Sequence, residues 1–236
     1  MKVRNLIMLL IMILFLHGCA STEVKVTGMA DSDQKVFYDG TITSEKKHAV
    51  TLSLYEEIEL AKDKTIFMVV VENSEDYPIS ISSESVSVMF EAGSRRGAPR
   101  KINIQSLDDF MKDLEEEYYV EEGRIIKDIF RRASKTSDDI DRAHEDYQKE
   151  FAASRFETKF FNDMYKLVEM RKHYDQLEFL IPEIIIKKRT IPPGDSINAI
   201  VVCDTRDMDA GTNGDFKIKV TIDGEEHRFT FRRASS

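Results

Sequence analysis

The sequence predicts a mainly β fold, an antiparallel β-sandwich interrupted by a helical segment. Short runs of β-branched and aromatic residues, separated by polar turns, occupy the chain before residue 100 and again after residue 178. Between them the apolar residues recur at helical rather than strand spacing. That middle block is also compositionally distinct, with 14 basic and 19 acidic side chains in the 77 positions from 101 to 177. The chain totals 236 residues, 42% hydrophobic and 33% charged, which suits one folded unit carrying an insertion and excludes a disordered chain. Two cysteines exclude a disulfide framework and a four-cysteine zinc site. A formal charge of −9 disfavours a nucleic-acid partner.

Taken in order, Val36-Phe37-Tyr38, Ala49 to Leu54, Thr65 to Glu72 and Glu84 to Phe90 read as strands. The continuous apolar run Ile66 to Val71 reads as central, and the alternation Ser85-Val86-Ser87-Val88 gives one wet face. Leu107, Phe110, Met111 and Leu114 then define an amphipathic helix, capped by Ser106 with Asp109 three residues on. Breaks are expected at Gly123 and at Ser134 to Asp138. A second helix is expected from about Asp139, with Ala143, Tyr147, Phe151, Phe160, Phe161, Met164, Leu167 and Val168 on its inner side. β-structure returns at about Leu177 with a strand from Glu183 to Arg189, a turn through Pro192-Pro193-Gly194, and a buried strand from Ser196 to Cys203. Phe216 to Ile222 and His227 to Phe231 make a hairpin across Asp223-Gly224-Glu225-Glu226.

The N-terminus is an address. Lys2 and Arg4 precede eleven apolar residues, Leu6 to Leu16, and Leu16-His17-Gly18-Cys19 follows. Eleven residues of helix rise only about 16 Å, too short for a hydrocarbon core of about 30 Å. This segment resembles a bacterial lipoprotein signal peptide, although His17 departs from the small or apolar residue usual there. The resemblance implies that Cys19 is lipidated and that residues 1–18 are removed; an uncleaved anchor is the other reading. Removal of Lys2 and Arg4 leaves a charge of −11. Ala20, in place of the aspartate that retains lipoproteins at the inner membrane, implies an outer-membrane anchor facing the periplasm. The order of elements, with Ile191-Pro192-Pro193-Gly194-Asp195-Ser196 and Val220 to Phe231, resembles uncharacterised bacterial lipoproteins with an immunoglobulin-like β-sandwich. The expected organisation is a signal peptide over 1–18, a sandwich from 19–100 and 178–236, and a helical insertion over 101–177.

Local signatures of chemistry are sparse. His48, His144, His173 and His227 lack metal-site spacing, and each of the last three reads as a surface or structural histidine. Cys203, left without a partner once Cys19 is acylated, reads as a buried strand residue. Asp204, Asp207, Asp209, Asn213 and Asp215 concentrate oxygen ligands but lack the EF-hand order, so a solvated strand connection is favoured over weak calcium binding. No nucleophile elbow, phosphate-binding loop or dinucleotide fingerprint occurs. Eight acidic residues between Asp108 and Glu122, followed by Arg124, Lys127, Arg131 and Arg132, read as a helix face with local ion pairs or as a surface that orients a partner.

The expectation is therefore a non-enzymatic envelope lipoprotein without cofactor or metal, tethered to the membrane through Cys19 and presenting its helical insertion to an envelope protein. Phe110, Tyr118, Tyr119 and Phe130 serve either as contacts or as the insertion's own core. The alternative is a periplasmic small-ligand-binding protein or hydrolase with its cleft between insertion and sandwich, such as one lined by His173 and nearby carboxylates.

Overall fold

The computed structural model describes residues 24–29, 34–37, 39–55, 58, 63–93, 98–143, 145–208 and 212–235. The anchor sequence through Cys19 lies outside them, as do Tyr38, His144 and Asp209. Twelve strands flank two helices in chain order. They are β1 (Val24–Met29), β2 (Gln34–Val36), β3 (Ile42–Glu45), β4 (Ala49–Leu54), β5 (Lys64–Glu72), β6 (Ile79–Ile81), β7 (Val86–Ala92) and β8 (Arg100–Ile102). Helices α1 (Leu107–Arg142) and α2 (Asp146–Ile184) follow, then β9 (Arg189–Ile191), β10 (Ser196–Asp204), β11 (Gly214–Ile222) and β12 (Glu225–Ser235). One five-stranded sheet has the order β1-β12-β11-β7-β8, the other β10-β5-β4-β3-β2, and β6 pairs with β9 alone. Every strand pair is antiparallel.

Period-two side chains from both large sheets meet in one apolar core. Val50, Leu52, Phe67, Val69 and Val71 come from one sheet and Val88, Phe90, Phe216, Ile218, Val220 and Phe231 from the other. The ring of Phe67 lies 5.7 Å from that of Phe216 and 5.1 Å from that of Phe231. The β11–β12 turn needs left-handed backbone at both central residues. Asp223 and Gly224 supply it, with φ of 48° and 78°.

The apolar runs of β5 and β10 are continuous because both faces of these strands are covered. Ala199, Val201 and Cys203 point into the sheet core, whereas Ile200 and Val202 join a second cluster with Ile66, Phe110, Leu114, Leu177, Ile181 and Ile185. The segments flanking the helices are hydrogen-bonded to β10. Val202 O accepts from Gln105 N at 2.9 Å on the way in, and Ile200 O accepts from Ile186 N at 2.9 Å on the way out. Two backbone clamps and a shared apolar seam thus fix the base of a long helical hairpin.

The helices depart from the sequence reading in three ways. α1 runs unbroken through Gly123 and Ser134 to Asp138, and the turn falls at Ala143 instead. Glu121 and Arg132, beside the weak formers, pair with Lys166 and Asp163 of α2, and local propensity is overridden. α2 also continues to Ile184, so Glu183 is helical and the strand begins only at Arg189. Pro182 sits in the last turn of α2, where few helical residues follow it. The helical part accordingly spans 107–184 and not 101–177, and residues 100–102 belong to β8.

Candidate functional site

At about 1.5 Å per residue, α1 extends about 54 Å and α2 about 58 Å. The Ser106 cap holds: its Oγ accepts from Asp109 N at 3.2 Å and donates to Asp109 Oδ2 at 2.7 Å. Along α2 the side chains turned toward α1 are Phe156, Phe160, Leu167, Met170, Tyr174, Leu177 and Ile181, all at least half-buried and spaced by threes and fours once Asp163, paired with Arg132, fills the step between Phe160 and Leu167. Tyr118 stacks on Tyr174 across the seam with ring centroids 4.8 Å apart.

A second apolar stripe lies on the opposite face of α2 in three separate groups and faces solvent. Tyr147, Phe151, Phe161, Tyr165, Val168 and Phe179 are all exposed, Phe179 by 82%. This corrects the expected inner side: Phe160 and Leu167 do face the partner helix, but Tyr147, Phe151, Phe161, Met164 and Val168 do not. Two apolar stripes on one helix blur its periodicity, so the reading merged them. On α1, Phe110 and Tyr118 are buried in the second cluster, whereas Tyr119 and Phe130 are exposed, Phe130 by 70%. Of the four aromatic residues read as contacts or core, two are core and two are surface. Among the described residues, twelve of the fifteen large hydrophobic side chains left exposed lie on the hairpin.

Part of this surface is concave. An open groove of about 1170 Å³ is lined by Tyr118 and Glu122 of α1 and by Met164, Val168, Arg171 and Phe179 of α2, among others. Arg171 lies 5.6 Å from the Tyr118 ring centroid and pairs with Asp175 at 3.0 Å. The walls are therefore apolar with a mixed-charge edge, which suits a helix or strand of another protein. The charges along α1 form local pairs. Glu121 receives Arg124 at 2.5 Å and Lys166 at 3.0 Å, and Arg131 meets Asp128 at 3.1 Å. The Arg124 guanidinium, followed by Lys166, holds the Glu121 carboxyl down at about 2.

At the hairpin base lies a polar knot invisible to sequence reading. Lys64 Nζ, on a side chain only 1% exposed, is 2.7 Å from Asp113 Oδ2 and 3.5 Å from Asp204 Oδ1. Gln105 Nε2 donates to Asp113 Oδ2 at 2.7 Å, and Arg206 pairs with Asp204 at 2.6 Å. Arg206 is the main reason that the Asp204 carboxyl titrates at about 2. This knot ties β5, α1 and the end of β10 together at the edge of the apolar seam.

A second polar line joins the two large sheets. Ser44 Oγ lies 3.1 Å from His227 Nδ1, and His227 Nε2 lies 3.3 Å from Glu225 Oε2. The residue types are those of a hydrolytic triad, but Ser44 and His227 are 1% and 0% exposed, so no substrate reaches them. Burial lowers the pKa of His227 and keeps it neutral. His48 is also fully buried, and Glu225 accepts from its backbone nitrogen at 3.2 Å. The line braces the end of β3 against β12.

The remaining candidates are dispersed. Cys203 is buried in the sheet core, and that burial pushes its thiol up to about 12. In the acidic segment, Asp204 pairs with Arg206, Asp207 with Arg100 at 2.9 Å and Asp215 with Arg232 at 3.0 Å. Among the described residues, no group of three His, Cys, Asp or Glu side chains converges on a metal position. His173 is half-buried on α2. No helix of the described residues is long and apolar enough to cross a membrane. Comparison with protein families, with curated proteins and with solved structures returns no match to this chain.

Proposed function

We propose that this chain is a non-enzymatic envelope lipoprotein, tethered through an acylated Cys19, whose immunoglobulin-like β-sandwich holds a helical hairpin out as a docking surface for another envelope protein. The observation that carries the reading is the exposed apolar stripe of α2, with Tyr119, Ile126 and Phe130 also exposed on α1. Leaving one Phe in water instead of burying it forgoes about 1.5–3 kcal/mol. Monomeric surfaces rarely gather such residues into one patch without a use for it. The tether rests on Leu16-His17-Gly18-Cys19, and Ala20 favours the outer membrane.

The two sheets meeting in one core, with strands in antiparallel order, support the sandwich. The clamps onto β10 support the hairpin as a rigid arm and not a floppy insertion. The ligand-cleft alternative is less favoured: Phe110, Leu114, Ile181 and Ile185 fill the seam against Ile66, Ile200 and Val202, and in the polar hollow at its edge Asp113 and Asp204 are paired with Lys64 and Arg206.

The test is mild crosslinking in cells followed by recovery of the protein, comparing wild type with the double variant Val168→Glu/Phe179→Glu. Both side chains are exposed, so the variant keeps its fold, which circular dichroism verifies. Recovery of one envelope protein with wild type and its loss with the variant supports the reading. Equal recovery from both, or recovery from neither, refutes it.

A further inference from the structure

A second concavity lies near the far end of the hairpin and shares no lining residue with the apolar groove. It has a volume of about 290 Å³, and Arg132, Lys135, Arg155 and Lys159 converge on it with a single carboxylate, Asp139. Arg132 is committed to Asp163 and to the Asp128 carbonyl oxygen. Lys135, Arg155 and Lys159 have no ion-pair partner among the described residues. That contrasts with α1 nearer the base, where Arg124 and Arg131 are paired. Three cations without an ion-pair partner, around one hollow whose single carboxylate is Asp139, repel one another and are more stable with an anion between them. In a chain of net charge −9, a general demand for positive surface does not explain the clustering.

The lining adds chemistry beyond charge. Arg155 offers a planar fork of donors suited to phosphate oxygens, the two ammonium groups add point charges, and the Thr136 hydroxyl adds a neutral donor. Phe151 and Phe156 supply an apolar wall on which the carbon skeleton of a ligand can lie. The volume exceeds what a bare phosphate needs and accommodates a phosphate ester with a few carbons attached.

We propose that this hollow binds the phosphate group of a small phosphate ester, with Arg155, Lys135 and Lys159 as the ligating cations and the two Phe rings against the ester's carbon skeleton. The ester is either a soluble metabolite or the headgroup of an anionic lipid, and the recognition chemistry is the same for both. The site shares Phe151 with the exposed apolar stripe but no residue with the apolar groove, and it stands or falls separately.

The experiment is calorimetric titration of the purified full chain with glycerol 3-phosphate and, separately, with inorganic phosphate. The expected result is one saturable site for glycerol 3-phosphate, weakened at least tenfold in Arg155→Glu/Lys159→Glu and unchanged in Lys127→Glu, an exposed cation outside the hollow. Inorganic phosphate is expected to bind more weakly at the same site, because it lacks the part that meets the rings. Vesicles of phosphatidylglycerol that displace the probe, when phosphatidylcholine vesicles do not, assign the source as lipid; no displacement assigns it as a soluble ester. Absence of saturable binding, or binding that survives the double substitution, overturns the proposal. Circular dichroism of both variants confirms that the exposed substitutions leave the helices intact.

Discussion

Replacing Asp113 with asparagine tests how the hairpin is held to the sheets. In the wild type, Lys64 Nζ is 1% exposed and shared between Asp113 at 2.7 Å and Asp204 at 3.5 Å. The substitution preserves shape but leaves the ammonium with only the more distant carboxylate. Removing one partner of a fully buried pair costs about 3–5 kcal/mol. Here Asp204 stays in place and the Asp113 side chain is 16% exposed, so the expected loss is about 2 kcal/mol. With a urea dependence of about 3 kcal/mol per molar, the unfolding midpoint falls by about 0.7 M. Hydrogen exchange should locate the damage at the base of the hairpin, with faster exchange at Phe110 to Leu114 and none in β11 or β12. The double substitution Lys64→Met/Asp113→Leu should recover at least half of the lost stability, because it removes the stranded charge along with its partner. A midpoint within 0.1 M of wild type for Asp113→Asn would refute the claim that this knot secures the hairpin.

Three further outcomes follow from the packing and the charges. Leu177→Ala, in the seam, should cost about 2–4 kcal/mol in urea unfolding, whereas Phe179→Ala, two residues on and 82% exposed, should change stability by less than about 0.5 kcal/mol. Gly214→Ala would place a Cβ 2.3 Å from Glu91 O and 2.6 Å from Phe90 Cζ, so β11 must shift and the urea midpoint should fall by more than in any exposed-strand Ala variant. His227 is neutral in the fold because burial lowers its pKa from 6.5. The unfolded chain then binds more protons, so the stability contributed by the neutral ring is present above about pH 6.5 and is lost as pH falls toward the lowered native value. Thermal unfolding from pH 7.5 to 5 should show this slope, and it should flatten in His227→Gln.

Strands with a continuous apolar run or a clean alternation are the most legible. Ala49 to Leu54 matches β4, and Thr65 to Glu72 and Ser196 to Cys203 each fall one residue short of β5 and β10. Short strands such as β3 and β8 are not legible because three or four residues carry too little alternation to stand out. The helices are legible in kind but not in their breaks, since Gly123 and Ser134 are flanked by Glu121 and Arg132, which pair with Lys166 and Asp163 of the other helix. Of the candidate surface, the sequence pointed to Tyr119 and Phe130 but also to Phe110 and Tyr118, which share their residue types and differ only in helix face. The second stripe of α2 is broken by gaps of ten and eleven residues, and one apolar helix with two faces looks like a single wide one. The knot at Lys64, Asp113 and Asp204 and the contact between Ser44 and His227 join residues far apart in the chain. No local pattern announces them, and only the pairing of β10 with β5 and the approach of β3 to β12 bring them together.

The central claim is that the outer face of the hairpin is occupied by another protein in the cell envelope. The most direct measurement places a photocrosslinking side chain singly at Val168, Phe130 or Lys217 of the intact chain and illuminates living cells. The account predicts one discrete crosslinked species from positions 168 and 130, of the same mass, and none from position 217, half-buried on the outer face of β11. Identical crosslinks from all three positions, or none from 168 and 130, would contradict it.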